Sequence, residues 1–289
     1  MIRRLRGAIK RILPAPVFHL VRDAPYALRD LFGGTPPDVR LPPLRHQFDG
    51  PRGYDVFARN GQEALAFYQR VIGIRPDCKM LDIGSGVGRK TLPLLDVFNQ
   101  DALYIGVDID ERGVRWCSRN ITPLNPRFMF FRLDVANKFY NPAGGIKPSE
   151  LVLPFTENSF DLVVLWSVFT HMYPIDIARY LQEIGRVLKP GGRVAASYYV
   201  MSERAQREVQ SGTARERIVH RLVDADCWTN NPNIPEDLIA VGEDWLRDAH
   251  ARAGLAIDGS IRYGAWSNNE VAPEFAALNW QDIVVAAKR

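Results

Sequence analysis

The chain has 289 residues, of which 46% are apolar and 24% charged, and a formal net charge of +4. That is enough for one large core or a core with a small cap, and no apolar run reaches the ~20 residues a membrane-spanning helix needs. Cys78, Cys117 and Cys227 stand far apart, so the spacing points to neither a disulfide framework nor a zinc cluster, and a reducing, cytoplasmic setting is the expectation.

The charge is unevenly placed. Residues 1–25 hold Arg3, Arg4, Arg6, Lys10, Arg11 and Arg22 against Asp23, a net +5, which leaves −1 for the rest. A nucleic-acid acceptor calls for a basic stripe across the binding face, and a body this close to neutral counts against one. Within the first segment Ile2, Leu5, Ile9 and Ile12 recur at steps of three and four, which predicts a basic amphipathic helix. Two readings stay open for it: it lies on an anionic membrane surface at the inner face of the membrane, or it docks on protein. Arginines interrupting the apolar stretch count against a signal peptide. Pro36, Pro37, Pro42, Pro43 and Pro51 predict an extended linker over residues 34–53. The expected division is residues 1–45 for helix and linker and residues 46–289 for the main domain, whose first helix is expected over residues 61–72.

The run Leu81-Asp82-Ile83-Gly84-Ser85-Gly86-Val87-Gly88 joins a strand-like approach to three glycines at alternate positions. Glycine suits a backbone that takes positive φ or touches a ligand closely, and Thr91, Leu92, Leu94 and Leu95 then resume near-helical spacing, so the expected order is strand, glycine loop, helix. A G-x-G-x-x-G dinucleotide fingerprint would need glycine at 89, where arginine stands. A P-loop fails as well, since its Lys-Thr pair falls one place late, at Lys90 and Thr91.

A second apolar run, residues 102–107, closes on Asp108, twenty residues after the last glycine. A carboxylate at such a strand tip can accept hydrogen bonds from both hydroxyls of a ribose. A third run ends at Asp134-Val135, placed to meet an adenine edge and ring, and a fourth begins at Phe160-Asp161 and reaches Trp166. All four acids are expected at strand ends.

The pattern D-x-G-x-G-x-G resembles the first motif of the class I S-adenosylmethionine-dependent methyltransferases. The likeness extends through Asp108-Ile109-Asp110, Ser159-Phe160-Asp161, Leu188-Lys189-Pro190-Gly191-Gly192 and Gln281-Asp282-Ile283-Val284-Val285, over roughly residues 45–289. It implies an α/β Rossmann-like fold: a seven-stranded, mostly parallel sheet with helices on both faces and an antiparallel last strand over residues 282–287. It also implies S-adenosyl-L-methionine as cofactor, held by Asp82, Gly84, Ser85, Gly86, Gly88, Asp108, Ile109, Asp134, Val135 and Trp166.

Residues 201–244 are long for a connection after the fifth strand, and such segments often wall a substrate site. The sulfonium methyl is already activated, so the protein mainly aligns the acceptor; a hydroxyl acceptor also gains from a base. His171, just past the fourth strand, is the expected base, and Tyr173, Tyr198 and Tyr199 are expected pocket residues. The Asn-Pro-Pro-Tyr motif of many amino-directed members is absent after the fourth strand, where Trp166-Ser167-Val168-Phe169 stands. The expectation is therefore O-methylation of a small-molecule or glycan-like acceptor. The alternatives are a nucleotide-dependent oxidoreductase and a non-catalytic module of the same fold.

Overall fold

The computed structural model describes residues 15–33, 36–138, 140–222, 226–271 and 275–289. The amphipathic helix expected over residues 2–12 lies outside the described residues. By its internal contacts the chain divides into two compact units, Met1–Arg59 and Asn60–Arg289.

In the first unit, helix α1 (Ala15–Phe32) is followed by a 3₁₀ turn at Leu44–His46 and by the start of α2 (Tyr54–Phe67). Residues 36–53, expected as linker, are tied down by hydrogen bonds. Asp30 of α1 accepts from the backbone N–H of Leu44 at 2.9 Å and of Arg45 at 3.0 Å, and buried Gln47 bridges the Pro42 carbonyl and the Gly53 N–H. The prolines shape turns here because these polar groups give the turns partners.

The second unit is built on a seven-stranded sheet in the order β10-β11-β5-β4-β1-β2-β3. Its strands are β1 (Lys79–Ile83), β2 (Leu103–Asp108), β3 (Phe128–Arg132), β4 (Phe160–Leu165), β5 (Leu188–Tyr198), β10 (Leu255–Ile257) and β11 (Asp282–Lys288). β1 to β5 run parallel, while β11 pairs antiparallel with both β5 and β10. Helices α3 (Glu111–Asn120), α4 (Pro174–Val187) and α6 (Glu243–Arg252) accompany this sheet, and β1 and β4 are buried along nearly their whole length rather than at alternate residues, as parallel strands covered on both faces are. Leu81, Val163, Leu165, Ile177, Leu181 and Val284 share the main core.

Two local expectations need correcting. After the glycine loop there is a 3₁₀ turn, Leu92–Asp96, instead of a full α-helix. Pro93 has no N–H to continue the ladder, and the turn alternates i−3 bonds (Leu94 to Thr91, Val97 to Leu94) with i−4 bonds from Leu92 and Phe98. Residues 201–244, expected as one long connection, carry structure of their own: β6 (Val200–Met201), β7 (His220–Arg221), β8 (Cys227–Thr229) and β9 (Ile239–Gly242) make a separate sheet in the order β6-β9-β8-β7, with α5 (Glu203–Ser211) after β6. Strands of two to four residues leave too short a pattern for periodicity to register.

Candidate functional site

In a parallel sheet whose strand order reverses between β1 and β4, ligands bind beyond the carboxyl ends of the strands at that reversal. Residues 82–88, Asp108, Asp134 and residues 166–167 all follow or end strands on that side. The chain leaves β1 and folds back on β2, with Gly84 and Ser85 donating to the Val107 carbonyl at 2.7 and 3.2 Å and Gly88 to the Ser85 carbonyl. Gly84 has φ +84°, and a Cβ built there would overlap the Val168 side chain. Gly88, at φ +78°, sits against Ile121 and Cys117. The loop is thus pressed against protein on one side, and glycine is what permits the approach.

Asp108 is held by backbone N–H groups: Oδ2 accepts from Gly86 at 2.7 Å and Oδ1 from Asp110 at 2.8 Å. Each carboxylate oxygen has two lone pairs, so each retains one after these bonds. Burial pushes the Asp108 carboxyl up to about 7, against the two N–H bonds that favour its charge. Asp82 is buried and accepts from the Tyr104 hydroxyl at 2.6 Å, which in turn lies 2.7 Å from Thr91 Oγ1. Burial, then the neighbouring Asp82, drive the Tyr104 hydroxyl well above its usual range. Ser85 is buried, and its Oγ has no hydrogen-bond partner among the described residues. Ile109 is half-buried.

Asp134 is exposed and engaged with the loop that follows it, through Asn141 Nδ2 at 3.4 Å and the Gly145 N–H at 3.1 Å. Val135 is buried and bridges Ile146. Trp166 is buried, and its indole N–H donates to the Tyr68 hydroxyl at 2.7 Å, which leaves the ring rather than the N–H for any ligand. Ser167 holds a left-handed φ of +59°, with its N–H on Ser197 Oγ and its own Oγ on Gln281 Oε1. The positive φ in a non-glycine residue marks a sharp turn directly after β4.

Asp161 does not join these groups. It opens β4 and therefore lies at the opposite end of the sheet, accepting from the Lys79 N–H at 2.9 Å and Lys189 Nζ at 2.8 Å.

His171 ends a short 3₁₀ turn, Phe169–His171, that packs against the Pro235–Asp237 turn of the inserted region. Its Nδ1 is 2.9 Å from the main-chain carbonyl of Glu236, and its ring meets Tyr140 edge-on at 6.0 Å. A carbonyl only accepts, so Nδ1 carries a proton, and in the neutral ring the lone pair is on Nε2. Tyr198 and Tyr199 are buried in the two cores, Tyr198 against Phe169 and His250 and Tyr199 against Trp266. Tyr173 is half-buried at the start of α4. Tyr68, Tyr104, Ser197 and Gln281 were not read as site residues from the sequence; their partners are 13 to 114 residues away, beyond any local pattern.

Fold and strand-tip groups together define a Rossmann-like class I methyltransferase architecture. Residues 81–196 match the family model described as Methyltransferase domain. Among curated proteins, the chain is 29% identical over 119 residues to the ubiquinone/menaquinone biosynthesis C-methyltransferase UbiE of Wigglesworthia glossinidia brevipalpis, covering 41% of this chain and 42% of that one. It is 23% identical over 152 residues to the tRNA N(3)-cytidine methyltransferase METTL2 of Gallus gallus, covering 52% and 38%. The matched region thus spans less than half the length of either relative. Among solved structures, the PH0226 protein of Pyrococcus horikoshii OT3 superposes with a TM-score of 0.53 at 15% identity, over 89% of this chain and all of that one.

Proposed function

We propose that the chain transfers a methyl group from S-adenosyl-L-methionine to a hydroxyl of a small-molecule or glycan-like acceptor. The observation that carries the cofactor half is Asp108, a strand-tip carboxylate cradled by two loop N–H groups and still holding a lone pair on each oxygen. Its two oxygens would receive the ribose hydroxyls. Residues 82–88 would follow the amino-acid end of the cofactor, where glycine keeps the backbone close to the ligand. Ile109, Val135 and Trp166 would supply apolar walls, and Asp134 a carboxylate toward the adenine edge. When bound, the cofactor supplies an electrophilic methyl on sulfur and leaves as a neutral thioether, so no acid is required of the protein.

The acceptor half rests on His171. With Nδ1–H committed to the Glu236 carbonyl, Nε2 has the lone pair that takes a proton from an acceptor hydroxyl. The two curated relatives are named for a quinone-pathway carbon and a tRNA cytidine nitrogen. A net charge of −1 over residues 26–289 supports a small acceptor in preference to RNA.

Calorimetry tests the first half: the protein binds S-adenosylmethionine and not NADH, and Asp108→Ala weakens binding by about 10- to 150-fold, the worth of hydrogen bonds to a charged group. NADH binding alone would replace methyl transfer with hydride chemistry. The second half is tested by offering radiolabelled S-adenosylmethionine with hydroxylated small molecules and with tRNA; label appearing only in tRNA overturns the acceptor class.

A further inference from the structure

Helix α1 has the opposite of the usual arrangement for a helix on a protein surface. At 100° per residue, Leu20, Val21, Leu28, Leu31 and Phe32 fall within an arc of about 120° and a length of about 18 Å. All five are exposed, Leu20 at 71%, Leu31 at 75% and Phe32 at 87%. No charged residue falls within that arc. Three charged residues of α1, Arg22, Asp23 and Asp30, turn to contacts within its own unit, while Arg29 is exposed. Asp23 pairs with Arg22 and Arg52, Arg52 also lies over the Tyr26 ring at 4.1 Å, and Asp30 holds the Leu44 and Arg45 N–H groups. Ordinarily the apolar stripe is buried and the charges are solvated.

Charge identifies the occupant. The only acids in residues 1–32 are Asp23 and Asp30, and both are consumed by these internal contacts. The cations of the same stretch are Arg3, Arg4, Arg6, Lys10, Arg11 and Arg29, together with Arg22, which is paired with Asp23. A surface that is apolar within and negative at its boundary complements this combination, and an anionic lipid leaflet is such a surface. No helix among the described residues is long and apolar enough to cross a membrane, so α1 would lie in the plane.

We propose that α1 is an in-plane membrane anchor, with Leu20, Leu28, Leu31 and Phe32 entering the acyl boundary of an anionic leaflet and the neighbouring cations meeting its headgroups. This is independent of the methyl-transfer reading.

The test is sedimentation of the full chain with vesicles of equimolar phosphatidylcholine and phosphatidylglycerol, compared with phosphatidylcholine alone. The protein sediments with the anionic vesicles, and is released as salt rises from about 0.1 M to about 1 M and the Debye length falls from ~10 to ~3 Å. Leu28→Glu/Leu31→Glu changes two exposed side chains, so the thermal unfolding curve is retained while partitioning falls at least about tenfold. Equal partitioning of the double variant, equal binding to neutral vesicles, or no binding by the intact chain overturns the proposal. A dimer in sedimentation equilibrium that the double variant dissolves, without vesicle binding, would assign the stripe to a second copy of the chain.

Discussion

Each end of the central sheet holds a strand-terminal aspartate, and their partners differ in kind. At the amino end, Asp161 is neutralised by cations, with Lys189 Nζ at 2.8 Å and Arg75 at 3.7 Å in addition to the Lys79 N–H. At the carboxyl end, Asp108 takes its hydrogen bonds from the backbone N–H groups of Gly86 and Asp110. A carboxylate paired with lysine is already compensated and fastens two strands together. A carboxyl cradled by N–H dipoles has no cation to compensate it and keeps spare lone pairs, which is the condition for receiving a hydroxylated ligand. The direction of titration follows: burial raises Asp108 to about 7, whereas at Asp161 burial is outweighed by Lys189, the Lys79 N–H and Arg75, and its pKa is lowered.

The largest effect that would sharpen this contrast comes from His171, on the carboxyl side. In the proposed base role the imidazole acts on the acceptor proton alone, so His171→Ala should lower kcat by about 10²- to 10⁴-fold and leave cofactor affinity nearly unchanged. A variant with nearly full kcat would show that the acceptor needs no base, and an amine or thiol would take the place of the hydroxyl.

Much of the carboxyl end was legible in the sequence because its parts are local. Asp82, the three glycines, Asp108 and Asp134 each follow directly on an apolar run, so strand and tip are read together. The antiparallel strand expected over residues 282–287 is found as Asp282–Lys288. Asp161 was legible as a strand-end acid, but it precedes its run, and in a parallel sheet that places it at the far end from the other three. What the sequence concealed depends on contacts across the fold. The commitment of Trp166 to Tyr68 spans 98 residues, and that of His171 to the Glu236 carbonyl spans 65. Neither leaves a periodic trace.

Glycines at the two ends offer a smaller but cleaner test, since backbone strain is common to both and crowding is not. Gly84 at φ +84° has Val168 where a Cβ would go, while Gly191 at φ +75° has nothing within 4 Å. Gly191→Ala should cost only the left-handed backbone penalty, about 1–2 kcal/mol. Gly84→Ala should add about 1–3 kcal/mol of overpacking and weaken cofactor binding as the loop shifts. Denaturant unfolding of the two variants measures the difference, and equal losses would mean that the loop is not pressed against Val168 as the structure has it.

The smallest effect is also the most specific, because the two aspartates must respond to pH with opposite signs. Asp108 binds its proton more tightly in the folded state than the ordinary 3.8 of an unfolded aspartate. Its contribution to stability is therefore fully present below about pH 4 and is lost as pH rises through about 7. The folded pKa of Asp161 lies below 3.8, so its contribution is present above that value and is lost as pH falls through the folded pKa. Asp108→Asn should remove a falling slope of stability between about pH 4 and 7, while Asp161→Asn should remove a loss confined to more acid solution. The latter should cost about 1 kcal/mol or less at neutral pH, as a partly exposed ion pair does, and leave cofactor affinity untouched. Melting temperatures across pH for the two variants separate these outcomes. If Asp161→Asn weakened the cofactor, or Asp108→Asn kept the slope, the division of labour between the two ends of the sheet would not hold.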